Sequence, residues 1–151
     1  METKTKVLFL STGNPTRSRM AQEFLRALAA DDHLGWSAGI VPGSIDPLAI
    51  EVMKEIGIDI RGQESIEVAQ ALKLHFGYVI TLYDATKERS PIFPFTFNLL
   101  HWNVLDPTTV KGSHAGRMEA FRSVSDVIHT QVQGFLGEGA DKERQGVLAH
   151  V

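Results

Sequence analysis

The segment that most limits how this chain can fold is its first apolar run, together with the turn and helix behind it. Val7-Leu8-Phe9-Leu10 is apolar on both faces, so it reads as a strand buried on both sides, the pattern of a parallel sheet. Ser11 to Arg17 is a polar turn carrying Gly13 and Pro15. From Ser18 to Leu28, the residues Met20, Phe24, Leu25 and Leu28 fall at helical spacing. Strand, tight loop and helix make half of a βαβ unit.

The alternation continues. Trp36 to Gly39 reads as a second short strand. Pro47 suits the first turn of a helix, with Ile50, Val52, Met53 and Ile56 as its apolar face and Gly57 as its stop. Ile66 to Leu74 reads as another short helix, Tyr78 to Leu82 as a strand and Leu99 to Val104 as a weaker one. Met118, Phe121, Val124, Ile128, Val132 and Phe135 mark a long C-terminal helix, and the polar, glycine-bearing stretch from Gly137 reads as a frayed tail. Strands alternating with helices argue an α/β fold with parallel strands. The 151 residues suit one domain over 1–151, with its core at about 5–136. The segment Tyr83 to Asn98, with Pro91 and Pro94, has the length of loops that carry function.

Composition removes several classes of function. A net charge of −3 is too balanced for a nucleic-acid footprint. No stretch approaches the ~18 uncharged apolar residues of a membrane helix. Met1 to Lys6 is polar and lacks the apolar core of a secretory leader, which makes the cytoplasm the default location. The six histidines form no metal-binding pair, so no metal is expected and no cofactor is implied. There is no cysteine, which removes disulfides, thiolate metal sites and any mechanism that needs a protein thiol.

The loop Ser11-Thr12-Gly13-Asn14-Pro15-Thr16-Arg17-Ser18 lies at the carboxyl edge of the expected sheet, where open α/β sheets bind ligands. Gly13 permits backbone conformations closed to other residues, and Asn14 is the next most tolerant. Successive N–H groups in such a loop converge into an anion nest, the helix adds its positive end, and Arg17 offers a bidentate fork to a tetrahedral oxyanion. A strand-to-helix turn rich in Gly, Asn and Ser needs no ligand either, so composition alone leaves both readings open. The loop has neither dinucleotide-fingerprint nor Walker spacing.

Val7 to Ala21 resembles the low-molecular-weight protein tyrosine phosphatase superfamily, whose loop runs C-x5-R-S/T, with Ser11 standing where the cysteine would be. Ser37-Ala38-Gly39 and Met53 to Ile60 resemble the family's second strand and following helix. Val79 to Leu82, His101-Trp102-Asn103-Val104-Leu105-Asp106-Pro107 and Phe121-Arg122-Ser123-Val124 resemble its thioredoxin-coupled arsenate reductase branch. The match runs over roughly residues 5–136 with its motifs in order. The resemblance implies a three-layer αβα fold around a parallel sheet of about four strands in the order 2-1-3-4.

It also implies a mechanism. In the family the cysteine attacks phosphate or arsenate, the loop arginine clamps the oxyanion, and an aspartate in an Asp-Pro pair protonates the leaving oxygen. Arg17 and Asp106 stand in the last two roles, and the first is vacant. A helix N-terminus and an arginine lower a thiol pKa from ~8.5 enough to give a thiolate at neutral pH. The same field leaves an alcohol protonated, and serine nucleophiles need an adjacent base, which the loop lacks. The reductases' two further cysteines align with Tyr83 and Ser90, so exchange with thioredoxin has no sulfur to run on. Tyr83 is not the serine or alanine that a designed knock-out inserts, which favours a naturally cysteine-free, divergent member. Thr16, Ile66 and Ser125 also depart from the family pattern. Gln22 stands where some reductases carry an acidic residue that helps hold a monovalent cation, so no such ion is expected.

The expectation is an oxyanion-binding homologue without redox activity. Ser11, Arg17 and Asp106 would form its reaction centre. Thr12, Gly13, Asn14, Pro15, Thr16 and Ser18 would form the loop around phosphate, sulfate or arsenate. Two rivals are a residual phosphatase using Ser11 or an Asp106-activated water, and a module that binds a phosphorylated protein. His101 and Trp102 read as packing or as a wall of the pocket. Tyr83 reads as a pocket-mouth aromatic or as a loop filler. Phe93, Phe95 and Phe97 read as core or as an apolar rim, and Lys111 to Arg117 as a solvated loop.

Overall fold

A computed structural model describes residues 3–41, 43–61, 65–89 and 98–145. The chain runs β1 (Thr5–Ser11), α1 (Thr16–Ala29), β2 (His33–Gly39), α2 (Pro47–Glu55), α3 (Val68–Ala71), β3 (Tyr78–Tyr83), β4 (Leu99–Asn103), a 3₁₀ turn (Pro107–Thr109) and α4 (His114–Gln145). The four strands form one sheet in the order β2-β1-β3-β4, and every pairing is parallel. Both strand order and strand direction are as the resemblance implied. Among the described residues, no helix is long and apolar enough to cross a membrane.

The two-faced character of β1 explains the layering. Val7, Leu8, Phe9 and Leu10 are all fully buried. Val7 and Phe9 face a core built with Met20, Phe24, Met53, Phe121 and Ile128 from α1, α2 and α4. Leu8 and Leu10 face the other side, where Ala71, Val79 and partly buried Trp36, Val68 and Phe76 close a smaller cluster. Trp102 of β4 packs on Phe9 with ring centroids 5.8 Å apart, which fulfils the packing reading of that residue.

Several boundaries differ from the sequence reading. The first helix begins at Thr16 rather than Ser18, with Pro15 as its N-cap and no side-chain cap bond; just before it, Asn14 Oδ1 accepts the Thr16 N–H at 3.0 Å and turns the chain into the helix. The second strand starts at His33, three residues before the apolar signal. The third helix is only Val68–Ala71, shorter than Ile66 to Leu74. The last helix continues to Gln145, past the frayed tail expected from Gly137; residues 146–151 lie outside the described part. Leu28 and Ile56, assigned to apolar faces, are about half exposed because each sits at the end of its helix, beyond the reach of the sheet. Gly57 has φ of +84°, as a helix-stopping glycine requires.

Candidate functional site

The parallel register places the ends of β1 and β3 side by side, with Ser11 opposite Leu82. On the other flank Ser11 faces Gly39 of β2. The residues that leave these strands therefore meet at one edge of the sheet. The loop after β1 is held there by its own polar groups. The Ile40 N–H donates to Ser11 O at 3.0 Å and the Val41 N–H to Gly13 O at 3.1 Å. Ser18 Oγ donates to Pro15 O at 3.0 Å and to Ala38 O at 3.1 Å. Asn14 Nδ2 donates to Thr108 Oγ1 at 3.2 Å, tying the loop to the 3₁₀ turn.

Two glycines serve this geometry in different ways. A Cβ on Gly39 would lie 2.8 Å from Pro15 N and 2.9 Å from Asn14 C and Gly13 O. All three are backbone atoms, so they have little freedom to yield. Gly39→Ala is expected to cost about 1–3 kcal/mol as an overpacking change. A lower urea midpoint at unchanged slope would report it, and an unchanged midpoint would contradict it. Gly13, by contrast, is not in the left-handed region, so the unusual backbone expected there does not occur. A Cβ there would make ordinary contacts, 3.4 Å from both Arg17 Nη2 and Asp106 Oδ2.

Ser11 is fully buried. Its Oγ accepts the Ser18 N–H at 2.9 Å, so the amide of the first helical turn points at the atom where a nucleophile would sit. The carboxylates of the site are engaged elsewhere. Asp106 Oδ1 accepts from the Thr108 N–H at 3.0 Å and from Thr108 Oγ1 at 2.6 Å. Its Oδ2 lies 3.6 Å from Arg17 Nη2. Pro15, Thr16 and Ser18 are buried, while Thr12, Gly13, Asn14 and Asp106 are partly exposed at the mouth. Thr16 Oγ1 accepts the Asp46 N–H at 3.3 Å, which ties the loop to the start of α2.

Arg17 is the centre of the arrangement. Its side chain is only 1% exposed. Nη1 donates to Val104 O at 2.9 Å, fixing the plane of the guanidinium. The fork then grips Glu88, with Nη1 to Oε1 at 2.7 Å and Nη2 to Oε2 at 2.9 Å. Thr12 Oγ1 donates to the same Oε2. Glu88 also accepts the Asp84 N–H at 2.8 Å. Burial alone would raise the Glu88 pKa. The hydrogen bonds from Arg17, the Asp84 N–H and Thr12 outweigh it and hold the carboxyl at about 2, against an ordinary 4.5.

The sequence reading did not single out Glu88. Its placement comes from the turn after β3. Asp84 Oδ1 accepts from the Thr86 N–H at 2.9 Å and Thr86 Oγ1 at 2.6 Å. The Glu88 N–H donates back to Asp84 O at 2.8 Å. One tight turn, capped by its own aspartate, therefore folds Glu88 over the sheet edge and onto the β1 loop.

The remaining candidates sit around this centre. Tyr83 stacks on exposed His101 with ring centroids 3.8 Å apart, and His101 Nδ1 lies 3.1 Å from Thr81 Oγ1. Gln22 Nε2 donates to Gly35 O at 3.0 Å, and its Oε1 accepts from Ser37 Oγ at 2.6 Å. Ser125, buried, is within 3.8 Å of Met53 Sδ. No cluster of metal-ligating groups occurs among the described residues. Ser90, Phe93, Phe95 and Phe97 lie outside the described residues.

Comparison with known proteins agrees with this architecture. The family model of the low molecular weight phosphotyrosine protein phosphatases matches residues 6–146. An arsenate reductase of Halalkalibacterium halodurans is 34% identical over 136 residues, spanning 90% of this chain and 98% of that protein. One of Bacillus subtilis is 32% identical over 139 residues, spanning 92% and 99%. Among solved structures, an arsenate reductase in the oxidized state superposes with a TM-score of 0.74 at 28% identity, covering 89% of this chain and 98% of the other. An arsenate reductase in the phosphate binding state gives 0.69 at 26% identity, with the same coverages. The chain thus belongs to the low-molecular-weight phosphotyrosine protein phosphatase family, on its arsenate reductase branch, and carries no cysteine.

Proposed function

We propose that the β1 loop binds phosphate-like oxyanions and that the chain performs neither arsenate reduction nor thiol-based phosphate transfer. The observation that carries this reading is the convergence of the Arg17 fork and the Thr12 hydroxyl on two carboxylate oxygens at the mouth of the loop. Donors so arranged suit an oxyanion that offers two oxygens to one guanidinium. The phosphate-binding state of a similar arsenate reductase supports the same ligand class.

The chemistry beyond binding is limited by Ser11. Its Oγ accepts an amide N–H, and the carboxylates of the site face Arg17 and Thr108 instead. With no base turned toward it among the described residues, the hydroxyl is a weak nucleophile. Ser11, Tyr83 and Ser90 supply no sulfur for exchange with thioredoxin. On this reading Arg17 binds the anion, Thr12 and the loop orient it, and Asp106 fixes the 3₁₀ turn beside it.

Calorimetric titration with phosphate, sulfate and arsenate tests the reading. Binding at millimolar concentrations is expected, weakened about tenfold or more in Arg17→Lys, which keeps the charge but loses the fork. No heat of binding for any of the three anions, either in the parent chain or in Glu88→Gln, would overturn it.

A further inference from the structure

We infer that Glu88 is an internal ligand of this anion site, a tethered carboxylate that an incoming oxyanion must displace. The inference rests on the oxyanion reading above and adds to it the residue that sets the affinity.

The geometry is that of a ligand rather than of a surface ion pair. Both guanidinium nitrogens meet both carboxylate oxygens at 2.7 and 2.9 Å. The cation is 1% exposed and the carboxylate 20%. A hydroxyl of the same loop completes the contact. A Cβ built on Gly13 would lie 3.9 Å from Glu88 Oε2 and 3.4 Å from Arg17 Nη2, so the carboxylate lies beside the middle of the loop. The contact joins positions 71 residues apart, and it is supported by a turn that holds Glu88 in place from its own side through the Asp84 N–H.

A group already seated in the site lowers the apparent affinity of any competitor by the fraction of time the site is free. A short tether gives its group an effective concentration in the millimolar range or above. Glu88 is ionised through the physiological range, as an ordinary glutamate is, and its contacts with Arg17, the Asp84 N–H and Thr12 hold its carboxyl lower still, at about 2. Oxyanions therefore compete with it at every ordinary pH. Release of Glu88 leaves Arg17 held by Val104 O and beside Asp106, so the fork remains in position to receive the anion.

The test is titration of inorganic phosphate into the parent chain, Glu88→Gln and Glu88→Ala. Circular dichroism and thermal melts with and without phosphate follow folding and binding together. Both variants are expected to bind phosphate at least about tenfold more tightly than the parent, with a larger phosphate-dependent rise in Tm. Equal affinity in all three chains would overturn the role of Glu88 while leaving the oxyanion reading intact. Absence of phosphate binding in all three would overturn both.

Discussion

Arg17→Ala is expected to destabilise the fold by about 3 kcal/mol, a larger effect than most single substitutions have. Burial is the reason. Arg17 is among the largest fully buried side chains of the chain, and its guanidinium satisfies Val104 O and the Glu88 carboxylate together. Removing one partner of a buried pair typically costs ~3–5 kcal/mol, because the other charge is left stranded. The lower end applies here, since a fifth of the Glu88 side chain remains in contact with solvent.

That mechanism carries two checks. Adding Glu88→Gln to Arg17→Ala removes the stranded charge, so the double variant should be more stable than Arg17→Ala alone by about 1 kcal/mol. The second check is pH. A carboxyl held near 2 against an ordinary 4.5 stabilises the folded chain fully above about pH 4.5, and that contribution is lost as pH falls toward 2. The parent should therefore lose stability more steeply than Arg17→Ala across that acid window. Urea midpoints measured from pH 5 to pH 2 read both effects. An Arg17→Ala midpoint equal to that of the parent would remove Arg17 from the centre of the structure.

The sequence and the structure part company at particular residues, and each divergence has a physical reason. Val7 to Leu10 announce a strand buried on both faces because each of the four side chains needs a layer to cover it, and both layers are present. The loop from Ser11 to Ser18 is legible as a candidate site because Gly, Asn and Arg in that order suit an anion at a helix start. His33, Leu34 and Gly35 give no strand signal because β2 is an edge strand there and its start is half exposed. Glu88 is invisible for a different reason. Nothing within its own turn points to Arg17, and only the β1–β3 pairing brings the two together. The available hint is positional: a lone glutamate in the first turn after a parallel strand, at the edge where a loop arginine is expected.

Ser11→Cys in this chain is expected to change the chemistry from none to some. The Ser18 amide already points at the side-chain atom of residue 11 at 2.9 Å. A helix N-terminus with an arginine nearby lowers a thiol pKa from ~8.5 toward or below neutrality. The thiolate so formed needs no general base, whereas the serine hydroxyl does. The gain should be greater in the Glu88→Gln background, where the phosphoryl group does not compete with an internal carboxylate.

Hydrolysis of an aryl phosphate by the parent chain and by Ser11→Cys, side by side at neutral pH, is the measurement that bears most directly on the proposal that the β1 loop is an anion site without a nucleophile. The expected result is no turnover by the parent above the uncatalysed background and turnover by the variant at least about a hundredfold above that background, roughly 3 kcal/mol of barrier. Turnover by the parent comparable to that of Ser11→Cys, and abolished by changing Ser11 or Asp106, would contradict it.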